Sequence, residues 1–470
     1  MKHTPRSILL FWAPLAAQWL MMASEGPFLA AIIARLGDPA FNLAAYGVTF
    51  AVAILVESPV IMLMSASTAL VEDEDSYRKL RAFTNALNAG STGLLLLVLI
   101  PPVFDVLTGT LLGLPEGVSR LVYGSLWLLL PWPAAIGYRR FLHGLLIRSG
   151  RTRLVAYGTL LRLFAMASTA LLLYRLAELP GALVGAAALS AGVSTEALAA
   201  RFMAAGAVRE LTGSGAGGAA ELARAEPEGG AETGVGAEAV AGAEDVAAAA
   251  SVASAASPSG ELTYGGIARF YYPLALTSFI GLTVQPLLTF FMGRAPAPIE
   301  SLAVFPVVHA LSFLFRALGL SYQEAAIALL GKRCEHAREL GRFGLWLGLA
   351  SSVGMGLVVF TPLAEVWFRD VSGLTPELTA AALVPARILA FLPALSVLLS
   401  WQRAVLVQGR DTRPITWATV LEVAGIAALF PLFGWGLGMT GVTAAVLAFL
   451  CGRAAGNLFL LRPVRGVLAR

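Results

Sequence analysis

Apolar residues in this chain neither alternate nor recur at helical spacing over long stretches. They run on for twenty or more positions, broken by short clusters of charge, glycine or proline. At 1.5 Å per helical residue, about 20 apolar residues cross the hydrocarbon core of a bilayer, so each run predicts a spanning helix. Twelve are expected, at 8–34, 41–67, 82–107, 119–146, 153–174, 181–206, 270–292, 299–325, 341–363, 378–407, 414–433 and 438–461. Between the sixth and seventh the pattern stops. Residues 207–266 are rich in Ala, Gly and Glu and lack a large apolar face, so they cannot bury enough surface to offset chain entropy. The expected organisation is an N-terminal lobe over 1–206, a disordered cytoplasmic linker over 207–266 and a C-terminal lobe over 267–470.

The two lobes repeat each other. At an offset of 259 residues Pro14 meets Pro273, Pro27 meets Pro286, Pro39 meets Pro298 and Arg35 meets Arg294. Shared prolines kink helices at fixed places, which common hydrophobicity alone does not explain. Further on, Arg153 meets Arg413 at an offset of 260. An even number of spans per copy makes the copies parallel, related by a pseudo-two-fold axis along the membrane normal. The fold class expected is an all-α polytopic membrane protein of twelve transmembrane helices in two six-helix lobes.

Composition agrees. Of 470 residues 57% are hydrophobic and only 13% charged, against roughly 25% charged in soluble domains. The net charge of +4 therefore gives no reason to expect nucleic acid, because basic residues of such proteins gather in cytoplasmic loops. Only Arg35, Arg120, Arg175, Arg294 and Arg369 fall on the side opposite the termini, so both termini are expected in the cytoplasm. The stretch after the basic residues Lys2 to Arg6 is too long for a secretory signal and contains Glu25, so it is expected to be a retained first span. Cys334 and Cys451 form no framework, and no P-loop, HExxH or GxSxG motif occurs, so an enzyme is not expected.

Charges inside the spans are the informative residues, since each costs about 2.5–3.5 kcal/mol at mid-bilayer on insertion scales. Arg139, Arg140, Glu196, Arg201 and Arg403 suit inter-helix struts or snorkelling near span ends. Glu57 maps onto Arg316 and Arg162 onto Glu422, opposite charges at repeat-equivalent sites. Two readings stay open for these four: structural pairs, Glu57 with Arg162 and Arg316 with Glu422 or across the lobes, or residues of a substrate cavity. Glu25 stands two residues before the kinking Pro27, where it either couples an ion or bonds a neighbouring helix. Gln285 beside Pro286, and His309, are further cavity candidates. Arg387 and Arg453 complete an arginine excess that would attract anions if it faced a shared cavity.

The early prolines of spans 1 and 7, the run Leu43-Ala44-Ala45-Tyr46-Gly47 and the run Tyr272-Pro273-Leu274-Ala275-Leu276 resemble the multidrug and toxic compound extrusion (MATE) fold. That fold belongs to the multidrug, oligosaccharidyl-lipid and polysaccharide (MOP) flippase superfamily. Within it the chain is most similar to the progressive ankylosis branch, on Glu25, the 43–47 run, Pro59, Pro286 and Arg294. The resemblance implies alternating access by two rocking lobes, with export of organic solutes by cation antiport or, in the ankylosis branch, movement of anions. It also implies a span 1 aspartate near the position occupied here by Leu29, a departure from the multidrug pattern. The function expected is secondary active transport of a small organic anion, coupled to H+ or Na+, by a monomer in a bacterial inner membrane, with no other cofactor or metal. The alternatives are a flippase acting on the head group of a phosphate-linked lipid and a non-transporting scaffold.

Overall fold

The computed structural model describes residues 4–213, 262–331, 334–409, 411 and 413–469. Ten helices are long and apolar enough to cross a membrane, or twelve when each of two bent pairs is one span. Spans 1 to 6 are Pro5–Ala34, Pro39–Leu70, the pair Glu74–Val98 and Pro101–Leu111, the pair Glu116–Leu128 and Trp132–Arg148, Arg153–Leu176, and Gly181–Thr212. Spans 7 to 12 are Tyr264–Met292, Pro298–Leu329, Ala337–Phe360, Pro376–Gln408, Arg413–Gly436 and Gly441–Leu468. No strand occurs among the described residues. The chain is a multi-pass, all-helical membrane protein. The expected linker lies largely outside the described residues. Its flanks are helical: the sixth-span helix runs on to Gly213 and the seventh begins at Tyr264.

The repeat is written into the backbone. Pro27 has no N–H to give the carbonyl of Ala23, and span 1 breaks at Ser24 into Pro5–Ala23 and Glu25–Ala34. Span 7 breaks in the same way at Thr283, three residues before Pro286. Both break residues turn a hydroxyl back onto the preceding turn, Ser24 to the carbonyl of Met21 at 2.7 Å and Thr283 to that of Phe279 at 2.6 Å. Spans 2 and 8 open alike, on a left-handed residue before a proline: Asp38 with φ 50° ahead of Pro39, Ala297 with φ 54° ahead of Pro298. Alanine in that region is sterically costly, so the tight entry is imposed by the packing around it. Spans 3 and 9 both lead into a π-helical turn, Val106–Leu111 and Val366–Val371.

The first span ties the lobes together. Its Ile8, Trp12 and Ala16 are buried with Tyr322, Leu340 and Val405 of the second lobe, whereas its later Leu29 and Ile33 belong to the core shared with spans 2 and 6. Glycines allow the closest crossings. A β-carbon at Gly181 would stand 2.9 Å from the carbonyl oxygen of Ile33, and one at Gly441 3.2 Å from the α-carbon of Met292. These two glycines open spans 6 and 12 against the end of the broken span of their own lobe.

Candidate functional site

A cavity sits between the lobes at the level of the two proline breaks. The first lobe supplies Glu25, Leu29, Tyr46 and Trp132 to its wall, and the second supplies Gln285, Pro306, His309 and Phe313. Its free volume is about 60 Å³, room for a few waters at roughly 10–15 Å³ each on the same measure and too little for an organic solute. Of the residues singled out in the sequence, Glu25, Gln285 and His309 face it directly.

Behind Glu25 runs a relay of buried charge across four spans. Glu25 of span 1 accepts a hydrogen bond from the guanidinium of Arg162 in span 5. The Nε of Arg162 lies 3.4 Å from Glu196 of span 6, and Glu196 also receives Arg139 of span 4 at 2.5 Å, with His143 at 4.0 Å. Glu196 has no accessible side-chain surface, whereas Glu25 keeps 14%, so the relay is most open at its cavity end. Arg139, Arg140 and His143 line a second, much smaller cavity of about 10 Å³ with Gln18 and Thr159. Glu57 is fully buried and accepts a hydrogen bond from the indole N–H of Trp132, so it too stands one side chain from the cavity.

The second lobe arranges its charges otherwise. Arg453 of span 12 donates to Glu422 of span 11 at 2.8 Å. Arg316 of span 8 donates from Nε to the hydroxyl of Ser396 at 3.2 Å and lies 3.4 Å from Nε2 of His309, placing it behind His309 as Arg162 is behind Glu25. Both arginines flank the ring of Phe449, each 5.4 Å from its centroid, a cation–π arrangement favourable in a site shielded from water.

Two sets of contacts join the lobes at the ends of the bundle. At the end away from the termini, Arg35 of the first lobe donates to the carbonyls of Asp370 and Val371 at 2.6 and 3.0 Å. Arg294 of the second lobe donates to the carbonyl of Thr110. Arg35 and Arg294 are repeat equivalents, and their acceptors lie in the equivalent π-helical turns, so one latch is present twice. Near the termini, Trp12 donates its indole N–H to the hydroxyl of Ser321 at 2.8 Å, and its repeat equivalent Tyr271 donates its hydroxyl to the carbonyl of Pro59. Trp19 reaches Glu324 at 3.2 Å on the same side.

Several expectations change. Arg162 bridges to Glu25 and Glu196, and Arg453 to Glu422, pairings that the repeat does not suggest. Arg387 does not line the cavity. It is exposed, donates to the carbonyl of Val359 at 3.3 Å and lies beside the ring of Phe360, as a long side chain does when it snorkels along a helix. No arginine is among the residues lining the central cavity. Pro27 and Pro286 do lie at equivalent breaks. Trp132 and Tyr46 were missed because an aromatic in an apolar run carries no signal of its own. The latch arginines did carry one, their match at the repeat offset.

No protein-family profile matches the sequence, and no curated protein matches it by sequence. Solved structures do match. The lipid II flippase MurJ in an inward closed conformation is similar with a TM-score of 0.70 and 12% identity, over 96% of this chain and 87% of that one. An inward-facing multidrug resistance MATE family transporter of the MOP superfamily is similar with a TM-score of 0.63 and 15% identity, over 96% and 95%. The fold is that of the MATE transporters. An outward-facing multidrug resistance MATE family transporter also matches, with a TM-score of 0.55 and 13% identity, over 100% and 98%. In MATE-fold terms, the cavity described above lies between the two lobes, and Glu25 stands on the broken first span.

Proposed function

We propose that the chain is a secondary transporter of the MOP superfamily that moves a small organic anion by alternating access, coupled to protons at Glu25. The observation that carries this reading is the Glu25–Arg162 pair at the cavity wall. Protonating Glu25 removes one negative partner of Arg162, the one at the cavity wall, and leaves the guanidinium one side chain from the cavity, able to take a carboxylate or phosphate in its place while Glu196 stays beside it. Proton and anion then bind together, and the relay through Glu196 keeps Arg162 in position while its partner changes. The small cavity belongs to an occluded state, and the solute gains access when the lobes part. The double latch supports closure at the end away from the termini, as does a higher TM-score with the inward-facing transporter, 0.63, than with the outward-facing one, 0.55. The sequence resemblance to the progressive ankylosis branch supports an anionic substrate, and the arginine-poor cavity wall makes Arg162 the counter-charge on which that substrate depends.

Proteoliposomes enclosing a pH-sensitive dye test this. Di- and tricarboxylates and organic phosphates should each be screened for uptake that moves protons with the anion. Glu25→Gln is expected to transport the anion without proton movement, and Arg162→Ala to lose transport. Flux of organic cations alone, or proton coupling that persists in Glu25→Gln, overturns the reading.

A further inference from the structure

On the outer wall of the second lobe, spans 9 and 10 part to leave a groove of about 610 Å³, ten times the central cavity. Its walls are almost wholly carbon, with Leu345 and Leu349 on one side and Ala394 and Leu398 on the other. Gly341, Gly344 and Gly348 fall on one helical face and form its floor. That floor is tightly backed: a β-carbon at Gly344 would stand 2.8 Å from the hydroxyl of Tyr322, and one at Gly348 3.3 Å from the α-carbon of Ala394.

One end of the groove has the opposite chemistry. Arg338 and Arg342, one turn apart in the first turns of span 9, are both exposed and line its mouth. Trp401 of span 10, half-buried, lays its ring beside Gly341, which stands between the two arginines in sequence. The two guanidinium groups thus stand where span 9 begins, at head-group level for a spanning helix. From Arg338 to Leu349 the groove runs about 17 Å at helical rise, close to the roughly 15 Å of one leaflet of a ~30 Å hydrocarbon core.

We infer that this groove holds an acyl chain of an anionic glycerophospholipid from the surrounding leaflet, with the lipid phosphate on Arg338 and Arg342 and the start of the chain against the ring of Trp401. Length, apolar walls and a cationic mouth match the three parts of that molecule. The site lies outside the central cavity and does not depend on what the transporter carries.

The test uses the full chain in phosphatidylcholine bilayers, with brominated lipid added as a quencher of tryptophan emission. Subtracting the signal of Trp401→Phe isolates Trp401. Brominated phosphatidylglycerol should half-quench Trp401 at a mole fraction at least tenfold below that needed with brominated phosphatidylcholine, since each basic residue near the surface favours an anionic lipid several-fold. Arg338→Ala/Arg342→Ala should bring the two lipids to the same curve. Equal curves for the two lipids in the unsubstituted protein, no quenching by either, or an unchanged preference in the double variant each overturn the inference.

Discussion

The two lobes descend to the same breaks, the same left-handed entries and the same π-helical turns, yet they treat buried charge in different ways. The first joins Glu25, Arg162, Glu196 and Arg139 into a relay that ends at the cavity. The second joins Glu422 to Arg453 and sets Arg316 and Arg453 about the ring of Phe449. Backbone geometry is shared because both lobes must bend at the same depth. Charge need not be shared: the first lobe brings a carboxylate, Glu25, to the cavity wall, and the second brings the imidazole of His309.

The largest effect expected is on stability. Glu196→Leu takes a buried carboxylate away from Arg139 and Arg162 and should cost about 3–5 kcal/mol. Glu422→Leu should cost a comparable amount, but adding Arg453→Met should restore most of it, because the pair is then replaced by apolar side chains. Melting followed by tryptophan emission in detergent measures all three. If the paired replacement is no more stable than the single one, the second lobe also depends on a wider network and the contrast fails.

The glycines that open spans 6 and 12 sharpen the comparison from its symmetric side. Gly181→Ala and Gly441→Ala both force a β-carbon against the neighbouring broken span and should each destabilise by about 1–3 kcal/mol in the same melting experiment. A change confined to one of them would show that the lobes pack less alike than their backbones suggest.

Arg35→Ala and Arg294→Ala each remove hydrogen bonds from a charged donor at an exposed site, a change of about 1 kcal/mol, or fivefold, in the balance between closed and open forms. Spin labels at Leu111 and Leu437, both exposed and on opposite lobes, should report a longer distance in a growing fraction of molecules. The double variant should shift further than either single one.

The smallest effect concerns the start of spans 3 and 9. Asp73 caps span 3, accepting from the backbone N–H of Ser76 at 2.8 Å, whereas His336 at the corresponding end of span 9 makes no side-chain cap. Asp73→Ala should therefore cost up to about 1 kcal/mol, with no counterpart at His336. The hydrogen bonds from Ser76 hold the Asp73 carboxyl below the usual carboxylate range. Its contribution is thus present above the unfolded value of about 3.9 and lost as pH falls through the folded one. The difference in melting temperature between the unsubstituted protein and Asp73→Ala should shrink over that acidic range.

Much of the architecture was legible in the residues. Spans are long and apolar enough to count, and the prolines located the breaks because the missing N–H acts on the residue four before it, wherever the tertiary structure places the helix. Span ends were not legible. Span 3 begins at Glu74 rather than 82, since a polar first turn held by the Asp73 cap carries no hydropathy signal. Three residues of the cavity wall were legible, Glu25, Gln285 and His309, each beside a proline break or at mid-depth in a span. Which carboxylate meets which arginine was not, because pairing depends on helix rotation, and a rotation of one residue, about 100°, moves a side chain to another neighbour. Arg387 shows the same limit: its depth was readable, the face it occupies was not.

Both latches end on main-chain oxygens. Every residue carries one, so no substitution in the π-helical turns can delete the acceptor; only a change in backbone path can withdraw it. The donor is a single arginine in each lobe, repeated where most neighbouring residues differ between the lobes. A closure built this way lets the turns vary in side chain while the joint persists, and it leaves the side chains of those turns free to face whatever lies outside the protein.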